Sequence, residues 1–490
     1  MLLGIDIGTS SAKGVLVRAD GTRLATAVVE HEVSRPHPGW VEHDPARVWW
    51  SGLRTLVAEL LTKADEPISA VGCSGIGPCL LPVDERDEPI RPAILYGVDT
   101  RATAQIAEQQ ARYGAAEVLA RCGSPLTTQA IGPKLAWLLA NEPDAYRRTR
   151  RWYMASSYLA FRLTGEYVLD HHSASQCVPL YDSAAKNWIQ PWCAEIAPGL
   201  DWPRLVWPAE VVGTVTSAAA AETGLPEGIA VIAGTIDAWS ESVSVGATEP
   251  GDVMLMYGTT MFLVEVLAQR AASANLWGTV GAFPDTFTLA AGMATAGAIT
   301  GWLAELTGAD YPTLVDEART AGVGADGLLM LPYFAGERTP LFDPDARGVL
   351  VGLTLRHNRG HLYRAALEAT AFGVRHNLAA MSAAGGRPRR LVAVGGGTTG
   401  DLWTQIVSDV LHQPQELTRH TIGAAYGDAF LAALGTGQVT PRDIRTWNPV
   451  SRTVEPDARH AADYDALYQL YLDLYPATKR TAHAMAARQG

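Results

Sequence analysis

The alternation of apolar and polar residues at the start of the chain predicts a β-hairpin. The apolar run Leu2-Leu3-Gly4-Ile5 reaches Asp6 and turns through Gly8. It then offers the hydroxyls of Thr9, Ser10 and Ser11 and returns past Lys13 into Gly14-Val15-Leu16-Val17. Ala19-Asp20-Gly21-Thr22 is a further hairpin turn signal. The pattern downstream predicts a helix over 44–61, after Pro36-His37-Pro38-Gly39, and a buried strand over 68–73. That strand enters the glycine-rich turn Ser74-Gly75-Ile76-Gly77-Pro78. Helices follow around 134–139 and 157–163. A strand over 230–233 then runs through Gly234-Thr235-Ile236-Asp237 into a helix of small residues from Ala238. The turn-rich segment 246–252 is the expected domain boundary.

Immediately beyond it the opening pattern recurs. An apolar strand over 253–257 meets Gly258-Thr259-Thr260, and a second apolar strand follows over 261–266. The copies lie about half a chain apart, far outside the period of solenoid repeats. The expectation is two domains on one plan, each presenting a hydroxylated turn. The second half continues with a helix over 295–306, a strand over 328–332, a loop over 334–340 and a long helix over 361–384. A strand over 391–394 then enters Gly395-Gly396-Gly397-Thr398-Thr399-Gly400-Asp401 and another helix. The expected segments are 1–247, 248–437 and a helical tail, 438–490, packed on the second domain.

Composition changes this picture in two ways. The net charge of −12 and the lack of a basic run argue against nucleic acid as a partner. A site for a polyanion must then gather local positive charge, most simply with Mg²⁺. No window has the apolar length of a membrane span, and the N-terminus lacks signal-peptide order. Cys73, Cys79, Cys122, Cys177 and Cys193 form no CxxC pair and read as buried or free thiols of a cytoplasmic protein.

The N-terminal turn suits a phosphate-binding hairpin, with Lys13 as counter-charge and Asp6 near a divalent metal, or equally an ordinary polar hairpin. Gly395 to Gly400 fits GxGxxG between strand and helix, which makes a dinucleotide fold the rival. Fewer than a hundred residues follow, too few for two mononucleotide halves. Nucleotide binding is therefore retained and nicotinamide is not. There is no P-loop and no protein-kinase motif set. His357 and His361 read as loop and helix-start residues rather than metal ligands. Asp237, where a strand ends and a helix begins, suits either a general base or a helix cap.

Together these motifs resemble the FGGY family of carbohydrate kinases, most closely its xylulokinase branch. The resemblance runs from Gly4 to about Gly435. It is carried by Gly4-Ile5-Asp6-Ile7-Gly8-Thr9-Ser10, Ser34-Arg35-Pro36-His37-Pro38-Gly39-Trp40, Arg91-Pro92-Ala93-Ile94-Leu95-Tyr96 and Pro133-Lys134-Leu135-Ala136-Trp137. Residues 234–246, Gly336-Glu337-Arg338-Thr339-Pro340, 348–353 and 361–368 add to it. It implies an α/β, two-domain, actin-like ATPase (ribonuclease-H-like) fold with an interdomain cleft. The implied reaction is phosphoryl transfer from MgATP to a small ketose, D-xylulose first, with another pentulose, hexulose or polyol as the alternative. A rival of a different class is a non-catalytic, nucleotide-gated sensor.

The resemblance makes Asp237 the general base and Asp6 the organiser of Mg²⁺, directly or through water. It makes Thr9, Ser10 and Lys13 the first phosphate loop and Gly258, Thr259 and Thr260 the second. Gly297 and Gly301 fall beside the nucleotide, and Gly396, Gly397 and Asp401 beside the adenosine. Two departures border the sugar. Ile76-Gly77-Pro78 stands where the family has Gln-Met-His, and Tyr96-Gly97-Val98-Asp99 where it has Trp-Asn-Asp. Gly77 and Pro78 are thus expected at the sugar, with Asp99 and Arg101 supplying part of the missing hydrogen bonding. The implied partners are a sugar and ATP, without nucleic acid or membrane, and a homodimer is admitted.

Overall fold

In the computed structural model, which describes residues 1–489, the opening alternation forms β1 (Leu2–Ile7) and β2 (Ser11–Val17). β1 is buried at every position because strands flank it on both sides and helices cover its faces. β2 pairs with it antiparallel, and β3 (Arg23–Glu30) extends the meander. On the other side β1 pairs in parallel with β4 (Ala70–Gly75). The edge strand β5 (Val211–Thr214) pairs antiparallel with β6 (Ala230–Ile232), which runs parallel to β4. β7 (Thr235–Ile236) takes over along the same edge, beside the last residues of β4.

A second sheet contains β8 (Asp252–Tyr257), β9 (Met261–Leu267), β10 (Phe287–Met293), β11 (Arg390–Val394), β12 (Gln415–Thr418) and β13 (Val450–Val454). The neighbour order β3-β2-β1-β4-β6-β5 in the first sheet is matched by β10-β9-β8-β11-β12-β13 in the second. The matching strand pairs share their senses: a hairpin (β8–β9), two parallel pairings (β8–β11, β11–β12) and an antiparallel edge (β12–β13). The sequence repeat is therefore a repeat of topology.

The helices that position the site are α1 (Ser51–Leu61), α2 (Asp237–Ser244), α3 (Gly297–Thr307), α4 (Arg359–Ala383), α5 (Asp401–Leu411), α6 (Ala424–Gly435) and α7 (Ala461–Ala486). The helix expected over 44–61 is divided. Pro45–Trp50 winds as a wider π-helical turn, which buries both Trp49 and Trp50 before α1 begins. Asp44 caps this turn by accepting from the Ala46 and Arg47 N–H groups.

The chain divides into two compact units that do not follow sequence order. One comprises Met1–Thr248, Val266–Thr288 and Ile422–Pro449; the other comprises Glu249–Glu265, Leu289–Thr421 and Val450–Gly490. In the first unit α6 lies directly on β1, β4 and α2. A Cβ at Gly4 would come 1.8 Å from the Ala425 carbonyl, one at Gly72 2.3 Å from that of Asp428, and one at Gly427 2.0 Å from that of Ser240. Glycine at these positions lets the layers approach to backbone contact. All five cysteines are buried and free. Among the described residues no helix is long and apolar enough to cross a membrane.

Candidate active site

Strand register assembles the site. Asp6, near the carboxyl end of β1, lies opposite Ser74 on β4, and Ser74 lies opposite Thr235 on β7. Asp237 follows two residues later as the first residue of α2. The carboxyl ends of adjacent parallel strands thus bring Asp6, Ser74 and Asp237 to one edge, where ligands of open α/β sheets bind. One turn into α2, Ser240 and Glu241 face the same region, and α6 contributes Asp428. The Ser74 hydroxyl lies 2.6 Å from one Asp428 oxygen and the Ser240 hydroxyl 2.5 Å from the other. The Ser74 hydroxyl is also 3.3 Å from Asp6 Oδ1.

The result is a cluster of four carboxyl groups, Asp6, Asp237, Glu241 and Asp428, of which Asp6 and Glu241 feel Lys13, the residue opposite Asp6 across the β1–β2 hairpin. Burial disfavours their charged forms. It raises Asp6 well above the ordinary carboxylate range, with Asp237 and Asp428 adding to the shift and Lys13 opposing it. Burial pushes Asp237 up to about 6, against the hydrogen bond it accepts from the Ala238 N–H at 2.7 Å. It pushes Glu241 up to about 7, again opposed by Lys13, and Asp428 up to about 8 despite both serines.

Hard oxygen donors with so little counter-charge fit Mg²⁺, which takes one or two carboxylates and otherwise keeps water and phosphate oxygens. Asp6 is the residue that would hold it, through the ion's water shell. Among the described residues, three ligand atoms converge within 4.8 Å at Asp343, Asp345 and His483 of the second unit. There Asp343 is already paired with His483 at 2.7 Å and with the Lys479 ammonium at 3.5 Å.

The first hydroxylated turn leaves Thr9 half-buried and Ser10 exposed, with Tyr96 Oη 3.4 Å from Thr9 Oγ1. Gly77 abuts Ile236, the residue before Asp237, where an added Cβ would come within 2.6 Å. Gly77 thus packs on the side chain of Ile236, and Pro78 beside it is buried. Asp99 and Arg101 are placed differently from the sequence expectation. Their side chains have no exposed surface and pair with each other at 2.7 Å. Arg101 also reaches Glu42 at 2.8 Å and stacks 4.0 Å from the Trp40 ring centroid, while Asp99 accepts from the Val41 N–H. Both groups are engaged by the protein and hold the 39–42 segment to the loop that follows Tyr96. That loop is pinned from its far side, because Gly97 bonds Thr128 and Gln129, and buried Lys134 donates to the carbonyls of both.

In the second unit, β8 and β11 pair in parallel through Met256 and Val394, so their carboxyl ends lie side by side. The turn of Gly258, Thr259 and Thr260 leaves the first, and the turn of Gly396 and Gly397 leaves the second. The start of α3 packs on the former: Gly297 N–H donates to the Gly258 carbonyl, and Ala296 and Ala298 donate to that of Thr259. A Cβ at Gly297 would come 2.6 Å from the Gly258 oxygen, whereas one at Gly301, one turn on, would make an ordinary contact 3.4 Å from Tyr311 Oη. An added Cβ at Gly396 meets nothing within 4 Å, so that backbone is open to a flat ligand. Asp401 opens α5, is exposed, and pairs with Arg452 at 2.6 Å.

Sequence reasoning missed Asp428, Ser74, Ser240 and Glu241. The available signals were a lone acid inside the otherwise apolar run 424–434, and a second acid one helical turn after Asp237.

Residues 1–244 match the N-terminal domain of the FGGY family of carbohydrate kinases and residues 253–436 its C-terminal domain. The chain belongs to this family; it has the two-domain FGGY fold and is a phosphotransferase. It is similar in structure to xylulose kinase from Rhodospirillum rubrum, with a TM-score of 0.92 and 34% identity, covering 98% of this chain and 99% of that one. It is 29% identical over 481 residues to the xylulose kinase of Escherichia coli strain K12, covering 97% of this chain and 98% of that one. It is also 32% identical over 455 residues to the glycerol kinase of Alkalilimnicola ehrlichii, covering 89% and 90%.

Proposed function

We propose that the chain transfers the γ-phosphoryl group of MgATP to a hydroxyl of a small ketose, D-xylulose giving D-xylulose 5-phosphate, in the cytoplasm. The observation that carries this reading is Asp237 at the start of α2. One of its oxygens is fixed by the Ala238 N–H, which leaves the other to accept a hydroxyl proton. A carboxyl group with a pKa of about 6 is ionised at neutral pH and more basic than an ordinary aspartate. Lys13 and the Thr9–Ser10 turn suit the phosphates, with Gly258, Thr259, Thr260 and Gly297 as the second phosphate group. Gly301, Gly396, Gly397 and Asp401 suit the nucleoside. Mg²⁺ held at Asp6 would offset charge on the phosphoryl oxygens.

Replacing Asp237 by Ala is expected to preserve the fold and lower kcat for sugar phosphorylation by about two to four orders of magnitude. Coupled ADP-release kinetics measure this, and near-native turnover would rule out Asp237 as the base. A second acceptor, another pentulose, hexulose or polyol, is favoured by the purely apolar Ile76-Gly77-Pro78 turn beside Asp237. A relative named glycerol kinase at 32% identity points the same way. A screen of ketoses and polyols with the same assay separates the two acceptors.

A further inference from the structure

We infer that His43 is a positioning residue, which turns the Ser10 N–H of the Thr9–Ser10 loop toward the ATP phosphates. The inference rests on the kinase reading above and adds to it a residue that acts through the Thr9–Ser10 loop.

The hydrogen bonds of His43 fix its tautomer. The indole N–H of Trp49, which can only donate, lies 3.1 Å from His43 Nδ1. Nδ1 is therefore the acceptor and Nε2 carries the proton. Nε2 lies 3.0 Å from the Thr9 carbonyl oxygen and donates to it. Both rings are buried, Trp49 fully. His31 packs edge-on against His43 at 5.1 Å between centroids. Burial and the neighbouring His31 push the His43 pKa down to about 4, so the imidazole stays neutral at working pH.

Peptide geometry carries this bond to the loop. In a trans peptide the C=O of Thr9 and the N–H of Ser10 point in opposite directions. Holding the Thr9 carbonyl on His43 therefore turns the Ser10 N–H outward. The next carbonyl, of Ser10, is held in the same way by the backbone N–H of His31 at 3.0 Å, and that of Ser11 by Gly8 at 2.9 Å. Among the described residues, the N–H groups of Thr9 and Ser10 have no partner in the protein. Three successive carbonyls are thus anchored and two successive N–H groups are free, the arrangement that receives a phosphate oxygen. Without the His43 anchor the Thr9 peptide can rotate and present an oxygen to an anion.

The test compares His43→Leu, which removes the donor, with His43→Gln, whose amide N–H can still donate. His43→Leu is expected to raise KM for ATP about five- to tenfold, the scale of one lost hydrogen bond. KM for the sugar should stay unchanged, and His43→Gln should recover most of the loss. An unchanged KM for ATP in His43→Leu would overturn the proposal, and so would an equal rise in both KM values. Lys13→Ala, measured alongside, separates the two readings. A raised KM for ATP in Lys13→Ala with none in His43→Leu removes only the positioning role. An unchanged KM in both removes the phosphate assignment of the loop as well. If His43→Leu does not fold, ¹⁵N NMR of the histidine-labelled native protein decides: an Nε2–H tautomer at His43 supports the inference and an Nδ1–H tautomer overturns it.

Discussion

Asp237 is the residue whose environment most directly sets its chemistry. Burial holds its carboxyl near 6, so the fraction able to accept a proton falls about tenfold per pH unit below that value. The kcat/KM for the sugar is accordingly expected to rise with pH up to about 6 and then level. A pH–rate profile that is flat between 5 and 7 would mean an ordinary aspartate or another base. Asp237 was readable from sequence because a strand, a glycine turn and an acid follow one another in a few residues. Asp428 was not, since its meaning depends on Ser74, some 350 positions earlier. Asp99 and Arg101 misled for a related reason. Polar residues near a substrate loop look alike in sequence whether they face the ligand or, as here, Glu42 and Trp40.

Among the elements, α6 carries an unusual load, being an almost wholly buried helix that presses backbone to backbone on β1, β4 and α2. Gly427→Ala would drive a methyl group to 2.0 Å from the Ser240 carbonyl. It should cost about 1–3 kcal/mol, the usual range for overpacking. Gly396→Ala meets open space and should leave stability unchanged while weakening ATP binding. Urea unfolding of the two variants, with ATP titrations, checks the contrast; equal stability losses would refute it. Strands and long helices were legible from periodicity, and the hydroxylated turns from their Gly-Thr-Ser composition. The π-helical turn at Pro45–Trp50 was not, because one extra residue per turn leaves an apolar stripe that still reads as α-helix.

For the whole molecule, the buried acids make stability depend on pH with a definite sign. A carboxyl group whose pKa is higher folded than unfolded binds more protons in the native state, and the stability it contributes is lost as pH rises through the folded value. Asp428 and Glu337, both near 8, and Glu241 and Glu265, near 7, lie in this class. Below about 6.5 the buried His43 and His172, near 4 and 3, oppose them, because they must lose protons to fold. The expectation is a stability that falls between pH 6.5 and 8 without ligand, with a shallower slope in Asp428→Asn. Chemical unfolding across that window tests it, and a rise in stability there would contradict the assigned burial effects. The repeated strand order β3-β2-β1-β4-β6-β5 was foreshadowed by the two Gly-Thr turns. The discontinuous division of the chain was not, since no local pattern announces a return to an earlier sheet.

That return has a consequence during synthesis. A ribosome delivers all seven strands of the N-terminal sheet long before residues 424–435, so the emerging polypeptide holds an uncovered greasy face and an unaccompanied Ser74. Only when residues 424–435 have been translated can the covering helix α6 arrive and Asp428 meet Ser74. Until then the edge that carries Asp6, Ser74 and Asp237 stays unfinished.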